Sequence, residues 1–186
     1  MTDPRVQRSR DALLSAALDE LSAAGYAAFS MESVAARAGV GRSTLYRHWS
    51  DRLRLISDAL ETLNTQPEVP AKPEDDTARH HVEALLRHLA EALTRSRVAG
   101  CLPALVHAAE QDLDMREFLH GYSARRRQAL VSAIADGVSR GEFRPGDAEL
   151  SADALSGAIF YRRLMTAHPY GPDDVPALVD EMLGLP

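Results

Sequence analysis

The chain has 186 residues and a formal charge of −6, with 45% apolar, 26% charged and 5% aromatic residues, long and apolar enough to bury a core. An Ala- and Leu-rich, aromatic-poor mix favours helices. No apolar run is long enough to span a bilayer, no apolar leader follows the polar N-terminus, and the single Cys101 excludes an internal disulfide, so a cytoplasmic protein with no membrane partner is expected.

Asp3-Pro4 predicts a helix start, and Val6, Leu13, Leu14, Ala17, Leu18 and Leu21 then mark one face until Gly25. Ser30 is the expected cap of a short helix over Met31–Ala38, with Glu32 in its first turn and Gly39 as its stop. A second short helix follows over Arg42–His48. Ser50 is expected to cap a longer helix carrying Leu53, Ile56, Leu60 and Leu63. Residues 64–76 hold three prolines and four acids, the composition of a loop or hinge. Residues 78–98 form the next helix, with Leu85, Leu86, Leu89 and Leu93, broken by Gly100. A short segment at 102–110 and a long helix from Asp112 to before Gly141 follow. After the turn at Arg144-Pro145-Gly146, Asp147 is read as the cap of a helix through Ala167. Residues 168–172 turn again into a last helix with Val175, Leu178, Val179, Met182 and Leu183. The expectation is an all-α fold of about nine helices, with a head over 1–50 and a body over 51–186, joined by a connecting helix at 51–66.

Charge separates the same two parts. Residues 1–52 carry 7 Arg against 6 acids, and the rest carries 14 Lys and Arg against 21 acids. An arginine-bearing head on an acidic body points toward a polyanion partner.

Residues 29–56, FSMESVAARAGVGRSTLYRHWSDRLRLI, carry the chemistry. Two short helices joined by Ala38-Gly39-Val40-Gly41 fit a helix-turn-helix: Ala35, Ala36 and Ala38 are small where the second helix crosses, and Gly39 tolerates the turn. Val34, Val40 and Leu45 supply a small core for the crossing. Around Leu45 the second helix is polar and cationic, the surface a helix needs to enter a major groove.

This segment, with the amphipathic helix before it, closely resembles the TetR family of transcriptional regulators, through the pattern AxxAGVxxxTLYRHW; ALSGAIFYRRLMTAHP at 154–169 is similar to the penultimate helix of many members. Gly41, Ser43 and Trp49 depart from the commoner Ser, Gly and Phe. The resemblance implies a homodimer that binds a double-stranded DNA operator with its head and encloses a small-molecule effector in its body. Arg42 is the expected base reader, since a guanidinium pairs bidentately with guanine, and Ser43 reaches a base edge. Thr44, Tyr46, His48 and the capped helix start at Ser30 are expected at phosphates, and Arg52 matches a family position that grips the backbone. Arg47 faces DNA or pairs with an acid inside the head.

By the same resemblance the effector cavity lies among the four helices after the reading head, bringing in Ile56, Leu60, Leu89, Leu93, Leu105, Phe118, Tyr122 and Phe160, a lining that fits a largely apolar ligand. The dimer contact is expected on the last two helices, at Ala154, Ala158, Ile159, Arg162 and Met165, then Val175, Leu178, Val179 and Met182; the alternative is that these faces close each protomer's own core. His80, His81 and His88 lack the spacing of a metal site and are read as solvated or hydrogen-bonded, Cys101 as a small buried residue, and Arg125-Arg126-Arg127 as ion-pairing or solvated. No catalytic motif, metal site or cofactor motif stands in the sequence, which reads as non-enzymatic. The expected function is a ligand-released repressor. A transcriptional activator, or a helical ligand-binding or adaptor protein with a repurposed head, are the alternatives.

Overall fold

A computed structural model describes residues 4–62 and 77–184, and among these it is helical throughout its regular structure. In chain order come α1 (Pro4–Ala24), α2 (Met31–Ala38), α3 (Arg42–His48), α4 (Arg52–Thr62), α5 (Ala78–Thr94), α6 (Arg97–Gln111), α7 (Leu113–Ser139), α8 (Ala148–Met165), a 3-10 turn (Pro172–Asp174) and α9 (Val175–Leu183). Asp3, Leu63 and the proline-rich stretch at 64–76 lie outside the described residues.

The chain forms two compact units. The first comprises Met1–Thr65 with Arg97–His120, the second Gln66–Ser96 with Gly121–Pro186. In the first unit α1 is the central element, packing on α2, α4 and α6. Its periodic Leu13, Leu14, Ala17, Leu18 and Leu21 are buried and meet a core of Val34, Leu45, Leu55, Ile56, Leu60 and Leu105. Arg10 and Asp58 tie α1 to α4 at 2.7 Å, and Arg37 pairs at 3.3 Å with Glu20, whose side chain is otherwise buried.

The α5–α6 junction differs from the sequence reading. Helix α5 ends at Thr94, with Arg95 as its C-terminal cap, and α6 already begins at Arg97. Gly100 therefore sits inside α6 and does not break a helix. Its lack of a side chain serves packing: a Cβ there would stand 2.6 Å from Ser22 Oγ on α1. Close by, the buried Cys101 thiol donates to the Leu18 carbonyl at 3.3 Å. Burial pushes that thiol up to about 11, so at neutral pH it stays protonated.

In the second unit α5 packs against α8, α9 and the 3-10 turn. Val82, Leu86, Ala90 and Leu93 of α5 meet Leu155 and Ile159 of α8 and Val175 and Val179 of α9, all buried. Polar stitches fasten the edges: Arg79 to Asp180 at 2.7 Å, Arg87 to the Pro172 carbonyl at 2.9 Å, Arg163 to the Leu93 carbonyl at 2.6 Å. Asp147 caps α8 as expected, accepting from Glu149 and Leu150 N–H.

Candidate nucleic-acid interface

Two local devices build the helix-turn-helix. Ser30 is extended, and its hydroxyl oxygen accepts from Ser33 N–H at 3.2 Å, capping α2. At the other end Gly39 takes φ 65°, the left-handed region, while the Gly39 and Val40 N–H groups donate back to the Ala36 and Ala35 carbonyls. A side chain at Gly39 has room but not the backbone angle. Gly41 then stands at the N-cap of α3 without a side chain to cap it, leaving the first N–H groups of α3 for solvent or a ligand.

Helix α3 is anchored by one side chain. Leu45 is fully buried, while Arg42, Ser43, Tyr46 and Arg47 are exposed and Thr44 is half-buried. Trp49 fixes its far end: the ring is buried, and its Nε1–H donates to Asp58 Oδ2 at 3.1 Å, on the carboxylate oxygen that Arg10 also holds. His48 turns inward, its ring 5.4 Å from that of Trp49 and its Nε2 buried without a hydrogen-bond partner among the described residues. The exposed face also holds an acid that sequence reasoning assigned only to helix electrostatics. Glu32 accepts from the Tyr46 phenol at 3.0 Å and from the Ser30 hydroxyl at 3.3 Å. Its own backbone N–H, then the Tyr46 phenol, hold its carboxyl below the usual range.

The start of α4 differs from expectation in one feature. Its cap is Asp51, not Ser50: Asp51 Oδ1 accepts from Arg54 N–H at 2.9 Å, and Ser50 donates to the other carboxylate oxygen at 2.7 Å. An ionised carboxylate is a strong cap for a helix N-terminus, and Ser50 steadies it. The Arg52 guanidinium carbon stands over the Tyr26 ring, 4.1 Å from its centre, and the side chain donates to the Tyr26 carbonyl at 3.3 Å. A further guanidinium nitrogen stands 4.0 Å from Asp112 Oδ2, which accepts from the Tyr26 phenol at 2.9 Å. Nothing in the local sequence around Arg52 signals this partner, sixty residues away.

The candidate effector residues divide between the units. Ile56, Leu60, Leu105 and Phe118 belong to the first, Leu89, Leu93, Tyr122 and Phe160 to the second. Ile56, Leu60, Leu93 and Leu105 are buried; Leu89, Phe118, Tyr122 and Phe160 are half-buried. The Tyr122 phenol accepts from Arg126 at 3.3 Å. In the same unit His88 departs from the solvated or hydrogen-bonded reading: its Nε2 is buried with no hydrogen-bond partner among the described residues. Burial, and then the Arg126 charge, push its pKa down.

Of the candidate dimer residues, Ile159, Val175, Leu178 and Val179 close the core of their own unit, because the helix period puts them on inward faces. Ala154, Ala158 and Met182 are half-buried, and Arg162 stacks 4.6 Å from the Tyr170 ring centre and donates to the His168 carbonyl. The outward face of α8 carries Leu150, Tyr161, Leu164 and Met165, exposed by 68%, 61%, 45% and 71%. Leu150 and Ala154 also line a groove of about 290 Å³ with Arg144, Pro145, Ser151 and Met182.

Residues 13–59 match the family model described as bacterial regulatory proteins, tetR family, and residues 72–182 match that of the tetracyclin repressor-like C-terminal domain. The uncharacterized HTH-type transcriptional regulator YdeS of Bacillus subtilis (strain 168) is 31% identical over 165 residues, spanning 88% of this chain and 82% of its own. The DNA-binding transcriptional repressor TetR of Mycobacteroides abscessus is 31% identical over 176 residues, spanning 92% of this chain and 90% of its own. The crystal structure of the transcriptional regulator FadR from Bacillus subtilis, in complex with stearoyl-CoA, shares the fold with a TM-score of 0.75 at 16% identity, covering 95% of this chain and 99% of that one.

Proposed function

The chain belongs to the TetR family of bacterial regulatory proteins, and from that premise we propose that it is a homodimeric repressor, released from a near-palindromic operator by a small-molecule ligand. One observation carries the reading. Helix α3 buries only Leu45, yet Trp49, Asp58 and Arg10 brace its end, so a short polar helix is held rigid with Arg42, Ser43, Tyr46 and Arg47 facing outward. Such a helix gains little from its own burial and suits insertion into a major groove. In this reading Arg42 and Ser43 reach base edges, while Thr44, Tyr46 and the capped start of α2 at Ser30 position the phosphates.

The outward face of α8 supports a dimer. Leu150, Ala154, Gly157, Tyr161 and Leu164 recur at alternating steps of four and three, a single helical stripe. Leu150 and Leu164 stand equally far from Gly157 on either side, so two copies crossing antiparallel at Gly157 would set leucine on leucine and Tyr161 against Ala154. An isologous contact requires this kind of self-complementarity.

For the effector, the apolar candidates of the body favour a ligand with a substantial hydrocarbon part, the class to which the stearoyl-CoA bound by FadR belongs. His88 offers such a ligand a neutral, buried nitrogen to meet. Release requires the ligand to bind the DNA-incompetent arrangement more tightly than the competent one. Helix α4 transmits the change together with the head, since the Arg10–Asp58 pair and the Trp49–Asp58 bond tie the two.

The test is selection of bound duplexes from a random DNA pool, followed by titration at two salt concentrations. Enrichment of a near-palindrome whose affinity falls as salt rises is the expected result. No enrichment at low salt, with or without cell extract, would contradict the reading and favour a head repurposed for a protein partner. A selected site that recruits polymerase in a transcription assay would identify an activator.

A further inference from the structure

We propose that Asp112 competes with the DNA backbone for Arg52, making Asp112 a positioning residue that sets how firmly the head grips DNA; this rests on the DNA-binding reading above. Arg52 opens α4, and its guanidinium carbon lies over the Tyr26 ring, 4.1 Å from the ring centre. Among the described residues it makes one hydrogen bond, to the Tyr26 carbonyl at 3.3 Å, and its approach to Asp112 is loose, at 4.0 Å. With five N–H donors, a guanidinium so placed keeps most of them for another acceptor. Its side chain is 40% exposed, so a phosphate can reach it.

Asp112 is built differently. Its Oδ1 caps α7 by accepting from Met115 N–H at 3.0 Å, and its Oδ2 accepts from the Tyr26 phenol at 2.9 Å. Those contacts hold its carboxyl below the usual range, the Met115 N–H contributing most, so the charge beside Arg52 persists at neutral pH. The carboxylate is thus fixed, while the cation it faces is only loosely paired. A loose, part-exposed pair of this kind contributes little, so the guanidinium is readily given over to a backbone phosphate, which accepts charge-assisted hydrogen bonds from the donors that Asp112 does not hold. The position of Asp112 also matters for control. It joins α6 to α7, and α7 continues past His120 into residues of the second unit. A shift of the first turn of α7 moves Asp112 relative to Arg52 and changes how much of the guanidinium is left for DNA.

The experiment titrates a random-sequence duplex against the full-length protein over a salt series, for wild type, Asp112→Asn, Arg52→Ala and the double variant. Asparagine keeps a capping oxygen for α7 and removes the charge; Asp112→Ser does the same should the first variant fail to fold. Affinity of Asp112→Asn is expected to rise about threefold to tenfold at low salt, with the slope of log affinity against log salt steeper by about 0.9, one phosphate's worth. Arg52→Ala is expected to weaken binding, and Asp112→Asn in that background to change nothing. An Asp112→Asn effect of equal size with and without Arg52, or no effect at all, would overturn the competition while leaving the DNA reading intact. A wild-type protein with no salt-dependent affinity for duplex would overturn both.

Discussion

The Tyr46 phenol on the reading helix donates a 3.0 Å hydrogen bond to Glu32 Oε1 at the start of the preceding helix. A carboxylate therefore stands on the face proposed to meet DNA, bridging the Ser30 hydroxyl and Tyr46, two of the groups assigned to phosphates. Its role there is orientation. It holds the phenol in place on a helix with only one buried side chain, at the cost of a negative charge near the backbone.

Glu32→Gln separates those two effects, because glutamine still accepts from Tyr46 but carries no charge. Operator affinity is expected to rise about twofold to fivefold, and more at low salt than at high salt. Fluorescence anisotropy on the selected operator measures it. A loss of affinity confined to one base position would instead identify Glu32 as a reader of a cytosine amino group.

The stripe on α8 makes a prediction about association. A Cβ added at Gly157 meets nothing within 4 Å among the described residues, so Gly157→Arg is expected to leave the fold of the single chain undisturbed. If two copies cross at Gly157, the same change blocks them. Sedimentation velocity at micromolar concentration is expected to show a shift from dimer to monomer, with the helical circular dichroism retained. A dimer of unchanged stability would place the contact elsewhere.

Gly137 has the opposite surroundings. An added Cβ would overlap the Phe143 ring and stand 3.0 Å from Ala78 Cβ, so this glycine lets a helix and a turn close on each other. Gly137→Ala gains helix propensity of about 1 kcal/mol but overpacks the site by about 1–3 kcal/mol. The net expectation is a lower urea midpoint with unchanged slope. A higher midpoint would mean that Phe143 rotates away without loss.

How much of this was legible in the sequence follows from how far each signal reaches along the chain. Ser30 and Asp147 cap residues two or three positions away, and Gly39 closes a turn on its own, so each declared itself locally. The all-α class and the helix-turn-helix were legible for the same reason. Gly100 was misread because its partner, Ser22, lies far upstream; by local rules a glycine after a leucine-rich helix is a stop. The Asp51 cap was masked by Ser50, an equally good capping residue one position earlier, and only the hydrogen bond to Arg54 decides between them. Arg52 and Asp112, and the inward turn of His48, depend on how helices meet, which periodicity does not encode. Likewise α8 and α9 each carry apolar residues on more than one face, and the face that fills the protomer's core emerged only with α5 in place.

The central claim is that α3 reads sequence, and Arg42 tests it most directly. The measurement compares wild type and Arg42→Ala on the selected operator and on a set of its single-base-pair variants, at fixed salt. The account predicts that the substitution costs about 1–3 kcal/mol on the operator and abolishes discrimination at one position, mirrored in both half-sites, while discrimination elsewhere persists. A uniform loss across all variants, or no loss, would contradict it and assign base reading to other side chains.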